Sequence, residues 1–388
     1  MIRSTVARVD LAALRSNFAA IRRFVASEPG RTPPGIIAVV KANAYGHGAP
    51  AVALALEEAG ATMLACADIE EGIVLRRAGV RVPVLVFGAL SVSDLDGLFE
   101  FALTPTISTP SAAKAVQAAA ARHQMELAYH LKIDTGMNRL GFRHDNLRRT
   151  LPGLLASANL RLEAVYTHFA SADVPESDVF GNQRVNYEKA LEIVEALVGV
   201  RRGGPSGPST VRRHAANSAA TLRDSRVWYD MVRPGLLLYG LVPPPLASTI
   251  DLQPVMSLTS RVVAVKGLRA GEGVGYGWRY QADMPRTIAV VPAGYADGLD
   301  TRMANKGFVL IRGKRVPIVG AVSMDMITVD VTDAGDVQPG DEVVLIGKQG
   351  EERWQTIDAR EVAAAIGTIP WEIVCRLGTR IERQYTSE

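Results

Sequence analysis

Cysteine is nearly absent from the 388 residues: Cys66 and Cys375 are the only two, and they lie far apart in the chain. That excludes a disulfide scaffold and fits a reducing compartment. Charge of one sign is also lacking, since 43 Lys and Arg face 40 Asp and Glu for a net charge of +3. No Lys/Arg run is long enough to form a nucleic-acid stripe, so neither DNA nor RNA is expected as a partner. No window has the unbroken apolar length of a membrane span, which excludes a membrane partner. The N-terminal "MIRSTVARVDLAALRSNF" is interrupted by Arg3, Arg8 and Asp10, unlike a signal peptide. The six histidines show no ligand spacing with carboxylates or cysteines, so no metal is expected. Together these absences describe a soluble, cytoplasmic protein.

What is present is length and rhythm. A chain this long exceeds what one hydrophobic core usually covers, so two domains are expected. From residue 36 short β-rich runs alternate with longer helical patterns. The runs are "IIAVVK" (36 to 41), "TMLACA" (62 to 67), "PVLVFG" (83 to 88), "LTPTIS" (103 to 108), "ELAYHLKID" (126 to 134), "LRLEAVYTHF" (160 to 169), "TVRRHAA" (210 to 216) and "WYDMVR" (228 to 233). Between them lie stretches such as "APAVALALEEAG" and "NYEKALEIVEALV", with apolar residues at helical spacing. Eight alternations predict an α/β fold built on a (β/α)8 TIM-type barrel, with a doubly wound open sheet as the alternative. "GVRRGGPSGPST" (199 to 210) reads as an exposed insertion, and the three prolines of "LVPPPLAS" (241 to 248) end the rhythm. The domains expected are therefore a barrel over 1–245 and a mainly β C-terminal domain over 246–388. In the tail "TIDAREVAAAIGT", Thr356 is the expected helix N-cap.

Several local matches carry nothing. "SAAK" at 111 to 114 fits a Ser-x-x-Lys pattern, but Ser111 reads as a helix N-cap and the companion motifs are missing. "GFVLIRGKR" has five residues between Gly307 and Gly313, and Arg315 where a phosphate loop needs Ser or Thr. "GVGYG" lacks the strand-turn-helix setting of a dinucleotide site.

The informative pattern is where polar residues fall on the eight runs. Barrel active sites sit at the C-terminal ends of strands. Lys41 ends the first run, Lys132 and Asp134 the fifth, His168 the sixth, "HAANS" the seventh and Arg233 the eighth. A single strand-end lysine ordinarily lays its stem on apolar surface with its ammonium in water; five of eight strands delivering such groups to one rim point to an active site. After the last two strands, Asn217 with Ser218, and Gly235 with Leu236, open helices whose backbone N–H groups suit a phosphate. A phosphate there and an amine at Lys41 suggest one cofactor bridging both, pyridoxal 5′-phosphate.

"AVVKANAYGHG", "KIDTGMNRLG", "YTHFASAD", "HAANSAA", "MVRPGLLLYG", "GVGYG", "GYADG" and "SMDM", in this order and spread almost end to end, resemble the bacterial alanine racemases. The resemblance implies an isomerase that interconverts L- and D-alanine and supplies D-alanine for peptidoglycan in the cell wall. It implies that Lys41 holds the cofactor and acts as one base, while Tyr276 from the partner subunit of a homodimer acts on the opposite face. It puts Arg233 against the pyridine nitrogen, His168 beside the ring, and Tyr45, Ser218, Gly235 and Leu236 around the phosphate. Arg139 and the partner's Met324 would meet the substrate carboxylate, and Lys132 is the candidate for carbamylation. Racemisation needs an acid/base on each side of Cα, so Lys41 and Tyr276 have to be tuned by burial and neighbouring cations. Arginine at the ring nitrogen cannot readily give up a proton, which leaves the ring a weaker electron sink.

Three positions depart from the family pattern. Trp371 stands where a tyrosine is usual, and Ala321 and Ser323 stand where arginine and cysteine are common. The alternatives to an alanine racemase are a broader-specificity amino-acid racemase, a decarboxylase on a related barrel, which Arg233 disfavours, and a non-catalytic cofactor-binding regulatory protein, which Tyr276 disfavours.

Overall fold

The computed structural model describes residues 4–90, 94–201, 211–246, 249–350 and 353–387. The insertion expected over 199–210 and the last two residues of 241–248 thus lie mostly or wholly outside the described residues. The chain divides into two compact units, one of residues 15–44 and 49–252, the other of residues 1–14, 45–48 and 253–388.

The first unit is a closed barrel of eight parallel strands: Gly35–Val39, Met63–Cys66, Val84–Val86, Thr104–Ile107, Leu127–Asp134, Leu160–Tyr166, Arg212–His214 and Met231–Val232. Pairing of Thr106 with His130 and of Met231 with Gly35 closes the ring, which rules out the open sheet. Each expected β-rich run yields one strand, buried because helices cover the sheet from outside. The run 228–233 keeps only Met231–Val232, because a 3-10 turn at Ser225–Val227 and a left-handed Tyr229 (φ 47) take up the residues before it. Helices follow the first seven strands. After the eighth there is only the short 3-10 turn Leu236–Tyr239. The gap is covered from the N-terminal side: in the helix Leu11–Val25, Asn17 Nδ2 donates to the Leu238 carbonyl (3.0 Å), and Phe24 packs edge-on against Trp228.

Two caps differ from expectation. Thr109, not Ser111, caps the helix Pro110–Arg122 by accepting from the Ala112 N–H, since Pro110 fills the first helical position and shifts the start back. Asp358, not Thr356, caps Ala359–Ile366 by accepting from Glu361 N–H, because Thr356 is paired in the strand Gln355–Ile357.

The second unit is mainly β. Its largest sheet runs in the order Lys314–Pro317, Phe308–Ile311, Glu342–Gln349, Met256–Arg261, Val6–Asp10 and Glu382–Thr386. Val6–Asp10 pairs antiparallel with Met256–Arg261 and parallel with Glu382–Thr386. The chain's beginning, assigned to the barrel by sequence position, is therefore an interior strand of the C-terminal sheet. A three-stranded sheet of Ala264–Leu268, Arg286–Val291 and Ile327–Asp330 and a hairpin of Gly273–Val274 with Tyr280–Gln281 complete the β content, apart from Gln355–Ile357. No described helix is long and apolar enough to cross a membrane.

Candidate active site at the barrel mouth

The first strand ends at Val39, so Lys41 stands two residues beyond it, where the chain leaves the sheet. The next four residues have an unusual backbone. Ala42, Asn43 and Ala44 take φ of 53, 52 and 55 with ψ of 52, 47 and 51, and Tyr45 has φ 51, a left-handed turn made without glycine. Left-handed helix costs roughly 1–2 kcal/mol per non-glycine residue, so the turn persists only because its surroundings hold it. Ala44 N–H donates to the Val40 carbonyl (2.8 Å), and the Asn43 carboxamide accepts from Ala49 N–H (2.8 Å) at the start of the helix Ala49–Glu58. Lys41 itself is half-buried.

The fifth strand, Leu127–Asp134, carries Lys132 inside the barrel, 6 % exposed. Burial, then the like charges of Arg139 and Arg233, and Lys41 beyond them, pull its amine down to about 8; Asp134 is the acid opposing them. Asp134 also shapes the following loop, since its Oδ1 accepts from the N–H groups of Gly136 (3.0 Å) and Asn138 (3.1 Å). The loop returns at Gly141, where φ is +134 and a Cβ would lie 2.5 Å from the Asp134 nitrogen, so only glycine fits. Arg139 lies on this loop, exposed.

His168, just past the sixth strand, is half-buried. Burial and the charges of Arg233, Lys132, Lys41 and Arg139 hold its imidazole well below the usual range, so it is neutral. Its carbonyl accepts from Gln183 Nε2 (3.1 Å), and Gln183 Oε1 takes the Ala170 N–H (2.8 Å), pinning the loop that carries it.

Arg233, beyond the eighth strand, is 3 % exposed. Its donors go to neutral acceptors: Nη1 to His214 Nδ1 (2.9 Å), and Nη2 to the carbonyls of Thr167 (2.8 Å) and Ala215 (3.0 Å) and toward His168 Nδ1 (3.4 Å). The guanidinium also lies 5.1 Å from the centroid of Tyr166, whose ring stacks on His214. Burial lowers Arg233 to about 10, which leaves it charged at neutral pH. Four cations, Lys41, Lys132, Arg139 and Arg233, thus act on one another or on His168 at this mouth. Such a field is complementary to anionic ligands.

The two loops expected to hold a phosphate are joined. Asn217 caps the helix Ser218–Arg223 by accepting from Ala220 N–H (2.9 Å). Ser218 Oγ accepts from the N–H groups of Gly235 (3.0 Å) and Leu237 (3.4 Å), so its hydroxyl proton is available to an acceptor beyond the protein backbone. Leu236 opens the 3-10 turn above Gly235. Among the described residues no group of His, Cys, Asp and Glu could hold a metal ion.

The remaining expected residues belong to the second unit. Tyr45 is half-buried and burial raises its phenol, so it remains a neutral donor. Tyr276, at a tight turn between Gly275 (φ 66) and Gly277 (φ 69), is 78 % exposed. Met324 is 51 % exposed on a loop tied to the one carrying Tyr295, with Tyr295 N–H donating to the Ser323 carbonyl and Ala296 N–H to that of Met324, 3.0 Å each. Trp278, Tyr295 and Met326 are exposed as well. Trp371 is the second residue of the helix Pro370–Cys375 and is half-buried.

Sequence reasoning missed His130, Tyr166 and the part played by His214. Its one available signal was polar residues at inward positions along strands five to seven.

The chain matches the family models described as "Alanine racemase, N-terminal domain" over residues 9–243 and "Alanine racemase, C-terminal domain" over 255–385. It is 42% identical to the alanine racemase of Carboxydothermus hydrogenoformans, across 99% of this chain and 100% of that one. It is 38% identical to that of Halothermothrix orenii, across 100% and 98%. Among solved structures, the alanine racemase of D-cycloserine-producing Streptomyces lavendulae superposes with a TM-score of 0.90 at 33% identity, covering 100% of this chain and 98% of that one. The alanine racemase of Bacillus anthracis with bound L-Ala-P does so with a TM-score of 0.88 at 35% identity, covering 100% and 96%.

Proposed function

The chain belongs to the alanine racemase family, and we propose that it holds pyridoxal 5′-phosphate on Lys41 and interconverts L- and D-alanine in a homodimer with shared active sites. The observation that carries this reading is the cluster of Lys41, Lys132, Arg139 and Arg233 at one barrel mouth, with Asp134 as the acid acting on it. The donor set fits the cofactor: an amine at a strand end, a buried guanidinium bonded only to neutral groups, and the Ser218 hydroxyl beside the Gly235 amide. When bound, pyridoxal 5′-phosphate supplies an aldehyde that condenses with amines and a ring that accepts negative charge from the neighbouring carbon.

Each side chain then has a defined task. Lys41 takes or returns the Cα proton on one face of alanine, and Tyr276 of a second copy serves the other face. Arg233 stays protonated and offers N–H donors, so a ring nitrogen facing it keeps its lone pair. His168, kept neutral, would stand beside the ring without adding charge. Asn217 orders the loop that carries Ser218, and Ser218, Gly235, Leu236 and Tyr45 would serve the phosphate. Arg139 and Met324 of the second copy receive the substrate carboxylate, with Lys132 orienting Arg139. The exposure of the large side chains Tyr276, Trp278, Tyr295, Met324 and Met326 supports burial against a partner. A cytoplasmic setting agrees with both cysteines being free thiols, and the product suits peptidoglycan synthesis. No role for nucleic acid or membrane is part of the reading.

The test is the circular dichroism of L-alanine incubated with the purified protein and pyridoxal 5′-phosphate. Loss of handedness is expected, and Lys41→Ala should abolish it. Cofactor binding without racemisation would favour the regulatory protein instead. Trp371 favours a second reading, broader substrate choice, because indole is larger than phenol and only donates a hydrogen bond. Comparable rates on serine and alanine that collapse to alanine alone in Trp371→Tyr would establish it.

A further inference from the structure

Glu71 lies on the helix Ile69–Arg77, which follows the second barrel strand and is capped by Asp68, whose Oδ1 accepts the Glu71 N–H (2.8 Å). Its carboxylate faces back toward the sheet. Oε1 accepts from the Ala42 N–H at 2.7 Å and Oε2 from the Ala67 N–H at 2.7 Å. One residue on the second strand's helix therefore bridges the ends of the first two strands, and one of the two amides it takes immediately follows Lys41.

The reason a carboxylate is needed there is a missing rung. The ladder between these strands pairs Val39 with Ala65 and continues with Val40 N–H donating to the Ala65 carbonyl (2.8 Å). In a regular parallel ladder the next bond would run from Ala67 N–H to the Val40 carbonyl. That carbonyl instead takes Ala44 N–H, because the chain turns left-handed after Lys41. Ala67 and Ala42 would then each lack an acceptor at the strand ends, and Glu71 supplies both with charge-assisted bonds.

We propose that Glu71 is a positioning residue for Lys41: it ties the strained backbone after the lysine to the neighbouring strand and so fixes the direction in which the amine is presented. This rests on the reading that Lys41 is where the cofactor attaches. A carboxylate that touches neither substrate nor cofactor thereby controls how fast the amine can meet an aldehyde.

The experiment compares the full chain with Glu71→Gln, which keeps the shape but turns an NH2 toward one of the two amides, and with Glu71→Ala. Amide exchange at Ala42 and Ala67 should quicken roughly tenfold or more on loss of a charge-assisted bond, while the Ala49–Glu58 helix keeps its protection. Attachment of added pyridoxal 5′-phosphate to Lys41, trapped by borohydride and mapped by peptide, should slow by a similar factor. Glu70→Gln removes an exposed carboxylate from the same helix turn without touching either amide and serves as the comparison. Exchange and attachment unchanged in both Glu71 variants would overturn the proposal, as would equal slowing in Glu70→Gln. Borohydride label on a lysine other than Lys41 in the unaltered protein would overturn the Lys41 reading instead, and the Ala42 and Ala67 exchange rates would still decide whether Glu71 braces the turn.

Discussion

Nη1 of Arg233 donates to Nδ1 of His214 across 2.9 Å, and this one bond fixes the protons on two rings. Arginine has no acceptor, so Nδ1 must carry a lone pair and the His214 proton sits on Nε2. His214 Nε2 is 3.0 Å from His130 Nδ1, which is then the acceptor, leaving the His130 proton on Nε2, a buried atom with no partner among the described residues. A directed chain of hydrogen bonds therefore runs from the guanidinium into the barrel core.

Both rings must remain neutral for this chain to exist. Burial, helped by Arg212 and Arg233, lowers His130 to about 3, and burial, Arg233 and His130 hold His214 well below its ordinary range. In the unfolded chain each histidine binds a proton below about 6.5, whereas the folded protein binds none there, so stability falls as pH drops. The expected slope is about 1.4 kcal/mol per pH unit for each ring, from about 6.5 down to its folded value. Urea unfolding at several pH values should show it, and His130→Leu should flatten the curve. Nitrogen NMR of histidine-labelled protein should find both rings protonated on Nε2 alone at pH 6.

Arg233→Glu replaces a group that cannot give up its proton with one that can share one with the ring nitrogen. The ring should then become a better electron sink, and pyruvate formed per alanine racemised should rise by about tenfold or more, read by coupled lactate dehydrogenase. An unchanged ratio would refute the electronic role of Arg233. The variant should also be less stable, by about 1–3 kcal/mol for each buried acceptor left unpaired, because His214 Nδ1 and the carbonyls of Thr167 and Ala215 lose their donor.

Lys132 differs from a surface lysine in its protonation. With its amine near 8, roughly a tenth is unprotonated at pH 7, about two hundredfold more than for a lysine at about 10.4. Only the unprotonated amine attacks carbon dioxide, so carbamylation is expected, converting a cation beside Arg139 into an anion that can pair with it. Labelled bicarbonate should give a carbamate carbon signal that is absent in Lys132→Met. The signal should strengthen as pH rises through about 8 and weaken below it.

The barrel was legible because its strands are local: each is a short β-branched run bounded by turn residues, and "IIAVVK" announces itself without reference to any other part of the chain. The same locality explains what was not legible. "VARVD" near the N-terminus pairs with segments some 250 and 375 positions away, and five residues carry no trace of such partners. The left-handed turn after Lys41 uses alanines and asparagine where glycine would have signalled it, since its support comes from tertiary contacts. Glu71 carries no sequence signal of its role, since the two amides it accepts from are brought to it only by the fold. His130 was hidden in an apolar strand that tolerates it only because His214 bonds to it. Lys41, Lys132, His168 and Arg233 were found at strand ends because the barrel rule says where to look, whereas Tyr276 and Met324 came only from family resemblance.

Tyr276 provides the sharpest test of shared sites, because it can be separated from Lys41 by mixing chains. Lys41→Ala and Tyr276→Phe should each be nearly inactive alone. If every site combines Lys41 of one chain with Tyr276 of another, a hybrid dimer has one site with both defects and one with neither. Equal mixing under reversible dissociation makes about half the dimers hybrid, so activity should return to about a quarter of the unaltered level. Were both groups drawn from the same chain, every site would carry one defect and no activity would return. The recovery should depend on time and dilution as subunit exchange does, whereas contamination by unaltered enzyme would give a constant background.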